Sequence, residues 1–173
     1  MFELRLLTPA DAAAFRDIRL RALQEEPTAF TSSTEEFSHQ TLDKIAARFR
    51  GDPAESFMLG AFQNRQLVGL VGFYRETALK QRHKGSVISM YVAPEARRQG
   101  LGRALMRDVI HHVRNIRGVE QLLLGVMVTQ TAARQLYESL GFVVYGREVR
   151  AVKVDEQYYD EEFMVLDLRE DRQ

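Results

Sequence analysis

Arg97-Arg98-Gln99-Gly100-Leu101-Gly102 lies between two segments of different periodicity. Upstream, Ser86-Val87-Ile88-Ser89-Met90-Tyr91-Val92-Ala93-Pro94 is an apolar run closed by proline and predicts a strand. Downstream, Leu101, Leu105, Val109, Val113 and Ile116 recur at helical spacing and predict a helix with one apolar face. The two glycines therefore fall in the turn that opens that helix. Gly100 and Gly102 carry no Cβ, so a ligand can come close to the backbone and the turn can take φ values that other residues resist. The first N–H groups of a helix lack internal partners and sit at the positive end of its dipole. A turn of this kind can hold a phosphate or pyrophosphate, and Arg97, Arg98 and Arg103 add donors for charge-assisted hydrogen bonds. The same residues also read as a plain glycine-rich helix start with solvated arginines. Two other phosphate loops are excluded: no G-x-x-x-x-G-K-[ST] occurs, and Leu105 stands where G-x-G-x-x-G needs its third glycine.

A second stretch follows the apolar run Leu122-Leu123-Leu124-Gly125-Val126-Met127-Val128. It reads Gln130-Thr131-Ala132-Ala133-Arg134-Gln135-Leu136-Tyr137-Glu138-Ser139-Leu140-Gly141-Phe142. The glycine turn after a strand ending in V-x-P resembles the acyl-CoA pyrophosphate loop of the GNAT superfamily of N-acetyltransferases. The second stretch resembles that family's N-x-x-A-x-x-L-Y-x-x-x-G-F pattern, with Ala133, Leu136, Tyr137, Gly141 and Phe142 in the matching places. Two motifs in the right order with the right flanks extend the resemblance over nearly the whole chain.

Composition bounds the reading. A chain of 173 residues with 45% hydrophobic and 28% charged residues is globular and long enough for one domain with a substantial core. One domain is expected over residues 1–173, with a frayed tail from Arg169. Twenty-four Lys plus Arg balance twenty-four Asp plus Glu, so no global field draws the protein to nucleic acid or anionic lipid. The absence of cysteine excludes disulfides, thiolate metal sites and a cysteine acyl-enzyme. His39, His83, His111 and His112 form no metal-ligand spacing, so no metal is expected. No signal peptide and no apolar run of ~18 residues is visible, and a cytoplasmic, non-membrane protein is the expectation.

Along the chain, Phe2 to Leu7 alternates and predicts a first strand. Thr8-Pro9-Ala10-Asp11 predicts a capped helix start, and Phe15, Ile18 and Ala22 carry its apolar stripe. Glu25 to Phe37 predicts a loop. A second helix is expected from Ser38, burying Leu42, Ile45 and Phe49. Strands follow at Phe57 to Gln63 and Leu67 to Arg75, then the motif strand, helix, strand and helix. Phe142 to Val149 and Tyr158 to Leu168 predict a closing pair of strands. The order β-α-α-β-β-β-α-β-α-β-β is that of an α/β protein with a mixed sheet. The resemblance implies a mostly antiparallel sheet, flanked by helices and splayed between its fourth and fifth strands.

The resemblance also implies an acetyl-CoA-dependent acyl transfer to a primary amine by direct attack, with acetyl-CoA as cosubstrate. The acceptor is a small molecule or a protein amine, and a homodimer is compatible with the assignment. The pantetheine arm is expected along Met90, Tyr91 and Val92, and the phosphates at the stretch from Arg97 to Arg103, Gln99 and Leu101 included. Gln130 stands where the family often has Asn and retains its amide; Arg134 lies one turn further and can meet the cofactor's phosphates. Tyr137 is the expected general acid, because a phenol with an ordinary pKa of ~10 stays protonated at neutral pH and can donate to a departing thiolate. As an amphipathic residue beside Leu136 and Leu140 it also reads as core.

Some family members carry a base early in the fourth strand, where this chain has Ser86. Glu76 and His83 are the nearest alternatives, and a relay through ordered water is expected with Ser86 in a supporting role. Acceptor recognition in the family uses the first two helices, their loop and the last hairpin. Those offer Phe30, Ser32, Ser33 and Glu36, then Tyr159, with Tyr74 from the third strand. With Glu25, Glu26 and Glu35 they suggest an acidic and aromatic mouth suited to a cationic amine. The rival reading is a CoA-binding sensor or interaction module without turnover, favoured by the missing acid at Ser86.

Overall fold

The computed structural model describes residues 1–169 and joins seven strands in one sheet. In chain order the elements are β1 (Glu3–Leu6), α1 (Ala12–Glu25), α2 (Thr34–Ser38), α3 (Leu42–Arg48), β2 (Ser56–Gln63), β3 (Gln66–Arg75), β4 (Lys84–Val92), α4 (Leu101–Arg114), β5 (Gln121–Met127), α5 (Thr131–Glu138), β6 (Val143–Val154) and β7 (Gln157–Asp167). The strands lie in the order β1-β2-β3-β4-β5-β7-β6, antiparallel except where β4 meets β5.

That exception decides the architecture. β4 and β5 pair in parallel only through Lys84–Gln121, Gly85–Leu122 and Ser86–Leu123. Beyond Ser86 the strands separate, each held by its other neighbour: β4 by β3 and β5 by β7 along its length. The expected splay is therefore present. At its opening β4 carries a bulge. Leu70 faces Tyr91 and Gly72 faces Ile88, so β4 spends one residue more than β3, and Ser89 takes φ +58°. A non-glycine residue held in the left-handed region costs about 1–3 kcal/mol, which the flanking ladder must overcome.

Helix α4 packs against β2, β3 and β4 with Leu101, Leu105, Val109 and Val113 buried as its periodicity predicted, Met106 and Ile110 buried beside them, and Ile116 beyond its end. Each such side chain contributes about 1.5–3 kcal/mol by leaving water. Helix α5 ends in a Schellman turn: Gly141, at φ +94°, donates its N–H to Glu138 O, and Phe142 donates to Tyr137 O. The left-handed glycine turns the chain so that Phe142 is buried beside the Tyr137 ring, 6.1 Å between centroids. The spacing L-Y-x-x-x-G-F is a helix stop and its packing contact.

Three expectations change. The segment Glu25 to Phe37 is not all loop, because Ser33 and Glu36 form a reciprocal capping box that starts α2: Glu36 N–H donates to Ser33 Oγ and Ser33 N–H to the Glu36 carboxylate. The next helix is capped by Thr41 rather than Ser38, and Leu42 is exposed while Ile45 is buried. Arg169, expected to fray, hydrogen-bonds to Asp167 through its backbone N–H (2.9 Å); the rest of that tail, 170–173, lies outside the described residues.

Candidate active site

Three adjoining hollows gather at the splay. A groove of about 560 Å³ runs along Met90, Tyr91 and Val92 to the glycine turn at Gly100, Leu101 and Gly102. A fork cavity of about 320 Å³ lies between the open parts of β4 and β5. The groove and fork cavity share the walls Phe30, Met90, Gln130 and Tyr137. A second cavity of about 360 Å³, toward α1 and α3, shares Arg19, Ser32, Ile88 and Ser89 with the fork.

The groove contains the glycine turn and much of the stretch where the resemblance places the cofactor. Gly100 is the N-cap of α4 at φ +78°, and a Cβ there would project into open space. A Cβ at Gly102 would meet Met90 Cε at 3.3 Å and Leu136 Cδ2 at 3.4 Å, so glycine keeps that part of the groove wall flat. The N–H groups of Leu101, Gly102 and Arg103 open the helix without intrahelical acceptors. Of the flanking cations, Arg98 at φ +62° borders the groove with no hydrogen-bond or ion-pair partner among the described residues. Arg103 also borders it and donates to Ser139 Oγ (2.9 Å).

Among the other candidates from the two motifs, several are engaged within the fold. Arg97 borders the groove but donates to Val92 O (2.8 Å) and pairs with Glu26 (3.0 Å), fastening the turn to the strand and to the end of α1. Gln99 donates to Glu95 O and lines no hollow. Arg134 pairs with Glu162 (2.7 Å) and Glu138 (3.4 Å) rather than facing the groove. The Gln130 side chain makes no hydrogen bond among the described residues and lines both groove and fork.

Tyr137 is 5% exposed and borders the groove and the fork cavity. Its hydroxyl has no hydrogen-bond partner among the described residues, and burial pushes the phenol's pKa up. Both readings of the residue keep support: the ring packs as core, and the side chain borders two hollows. The nearby Tyr91 differs, because its hydroxyl is spent on Glu25.

The expected proton-relay residues lie elsewhere. Ser86 is in the paired part of the fork, opposite Tyr74 and Leu123, and lines no described hollow. Glu76 and His83 flank the loop before β4; the His83 carbonyl accepts from Glu120 and Gln121. Neither lines a hollow. The carboxylate that does reach the fork cavity is Glu161, on β7 opposite Met127. It leans over Gly125, where a Cβ would collide with it. Burial first, and the nearby Glu148 second, raise its pKa above the ordinary carboxylate value. No local sequence signal marks Glu161, since its berth is made by the register of two strands far apart in the chain.

On the acceptor side, Phe30, Ser32 and Tyr74 line the cavities. Ser33 and Glu36 are absorbed by the α2 cap, and Tyr159 donates to Gln157 away from the hollows. The expected acidic mouth is not assembled: Glu25 is engaged by Arg21 and Tyr91, and Glu26 by Arg97. Arg19, which sequence reasoning passed over, lines both the fork cavity and the second cavity. Its signal was an arginine one turn from Phe15 on the apolar stripe of α1. Among the described residues no group of three or more His, Cys, Asp or Glu is placed to hold a metal, and no helix is long and apolar enough to cross a membrane.

A strand fork, a glycine turn opening a helix beside it and a buried tyrosine on the next helix thus lie side by side. A sequence profile of the acetyltransferase (GNAT) family matches residues 18–142, and the chain belongs to that family, which uses acetyl-CoA. A mycothiol acetyltransferase of Thermobispora bispora is 33% identical over 152 residues, covering 84% of this chain and 48% of its own length. The chain thus spans about half the length of that relative. A GNAT-family acetyltransferase structure from Streptococcus pneumoniae superposes with a TM-score of 0.88 over 96% of this chain and 99% of that chain, at 24% identity. The yncA structure from Salmonella typhimurium, solved with its cofactor acetyl-CoA, superposes at 0.79 over 97% of this chain and 94% of that chain, at 25% identity.

Proposed function

We propose that this chain transfers the acetyl group of acetyl-CoA to a primary amine by direct attack, with Tyr137 as general acid and Glu161 as general base. The observation that carries the reading is Tyr137, whose hydroxyl has no hydrogen-bond partner among the described residues and which lines both the groove and the fork cavity that Glu161 also lines. Bound acetyl-CoA supplies an activated thioester, whose carbonyl carbon takes the amine nitrogen as its bond to sulfur breaks. Glu161 accepts the proton that the ammonium must lose, a task matched to a carboxylate whose pKa is raised by burial. Tyr137 Oη donates its proton to the departing sulfur. The open edge of β4 from Val87 to Val92, unpaired toward β5, leaves backbone groups to meet pantetheine amides and the thioester oxygen. The α4 N-terminus, Arg98 and Arg103 hold the phosphates. Glu161 also replaces the proton relay through Ser86, and with it the argument for a sensor without turnover.

The test is a panel of primary amines incubated with acetyl-CoA and purified protein, following free thiol and the acetylated product by mass. Equal release of thiol and N-acetyl product is expected for at least one amine class. Tight acetyl-CoA binding without amine-dependent thiol release would leave only a binding module.

A further inference from the structure

Helix α1 buries a charge. Arg19 is 7% exposed and is the only charged residue among the described ones in the buried class. Its guanidinium makes no hydrogen bond or ion pair with any described residue, and Nη1 is shielded without an acceptor. The Phe30 ring lies against it, 4.4 Å from guanidinium carbon to ring centroid. Burial draws its pKa down to about 10, so it still carries its charge near neutrality. A guanidinium has five N–H donors, and burying them unpaired costs free energy. A ligand that brings the missing acceptor removes that cost.

Its position says which ligand. Arg19 lines the fork cavity, with Tyr137 and Glu161, and the second cavity beyond it, but not the groove that would hold CoA phosphates. The second cavity has Arg48 and no aspartate or glutamate in its wall, while Phe15, Phe37 and Phe49 line it. The glutamates that would favour a polycation are engaged elsewhere. A carboxylate matches the guanidinium fork with two parallel hydrogen bonds. Resting on the amine-transfer reading above, we propose that the acceptor is a small amine bearing a carboxylate and an apolar substituent. Arg19 holds the carboxylate and thereby points the amine into the fork cavity.

The experiment compares leucine and phenylalanine with their primary amides and with 1,4-diaminobutane, in the parent protein and in Arg19→Met and Arg19→Lys. The parent should use the carboxylates at least tenfold better in kcat/KM, with the difference in the amine KM. Arg19→Met should erase that preference without moving the acetyl-CoA KM, and should melt at a higher temperature because an unpaired buried charge is gone. Arg19→Lys should keep part of the preference. In parallel, the protein–CoA complex is titrated calorimetrically with N-acetylphenylalanine and its amide. The parent should bind the carboxylate at least tenfold more tightly, and Arg19→Met should not distinguish the two. Equal use of amides or diamine, equal binding of the two products, or a preference that survives Arg19→Met would each overturn the proposal. If no amine is acetylated, the transfer reading fails while the titration still decides the role of Arg19.

Discussion

One strand meets the same neighbour in two ways. From Lys84 to Ser86, β4 is zipped to β5; from Val87 to Val92 it faces β5 across open space. In the zipped part the backbone groups are spent on the ladder and the side chains pack as in any sheet. In the open part a strand bonded only to β3 leaves one edge for a ligand, and the bulged residue Ser89 lines the cavities there. What a residue of β4 can contribute depends more on the side of that branch point than on its chemical type. Ser86 and Ser89 are the same amino acid three positions apart. Only Ser89 borders a hollow.

The comparison is broken most directly at Tyr137, on the open side. Tyr137→Phe keeps the ring against Phe142 and removes the proton, so kcat should fall by roughly 10²-fold or more with acetyl-CoA affinity nearly unchanged. Steady-state kinetics beside calorimetry separates the two, and near-normal turnover would reduce Tyr137 to a packing residue. An acyl donor with a more acidic leaving thiol should shrink the deficit.

Glu161→Gln tests the opposite wall of the fork. The ammonium of a small amino acid, beside its own carboxylate, is almost wholly protonated at pH 7, so losing the base should cost at least about tenfold there and less as pH rises toward the amine's own pKa. In the parent, activity should fall on acidification at a pH higher than an ordinary glutamate would give, because protonated Glu161 cannot accept a proton. The linked effect on stability has the opposite sense. A raised carboxyl pKa favours the folded state at low pH and loses that contribution as pH rises through the folded value. Glu161→Gln should therefore gain stability relative to the parent as pH rises, a trend readable from paired thermal melts. Acid-limb kinetics unaffected by the substitution would exclude Glu161 as the base.

Gly102→Val places a branched side chain against Met90 and Leu136 in the groove. Acetyl-CoA affinity should fall about tenfold, or ~1.4 kcal/mol, in a protein that still melts cooperatively. Unchanged affinity in the folded variant would move the phosphates away from the glycine turn. The smallest effect is expected on the zipped side: Ser86→Ala should change kcat by less than about twofold, within the ±0.5 kcal/mol typical of substitutions away from special features. A large loss there would mean that the branch point does not divide the strand as described.

Local patterns were enough for the order of elements apart from α2, and for one half of the candidate site. The glycine turn, the helix behind it and the Tyr137–Phe142 stop are encoded within a few residues, since helix periodicity, a left-handed glycine and its packing contact all act at short range. The splay followed from resemblance, which the pairing of β4 and β5 bears out. The boundaries that slipped did so where short side chains competed for caps: Ser33 with Glu36 created a helix inside an expected loop, and Thr41 displaced Ser38.

The other half of the site required tertiary structure. Glu161 reaches the fork because β7 lies beside β5 in a register that sets it over Gly125, thirty-six positions away in sequence. Arg19 becomes unusual only when α1 is docked and every partner for its guanidinium has been excluded. Glutamates that looked like a mouth were claimed by Arg21, Arg97 and a helix cap. Sequence records which groups a chain owns and the short-range turns they favour. Desolvation and pairing between distant strands decide which of those groups are spent on the fold and which are left to meet a ligand.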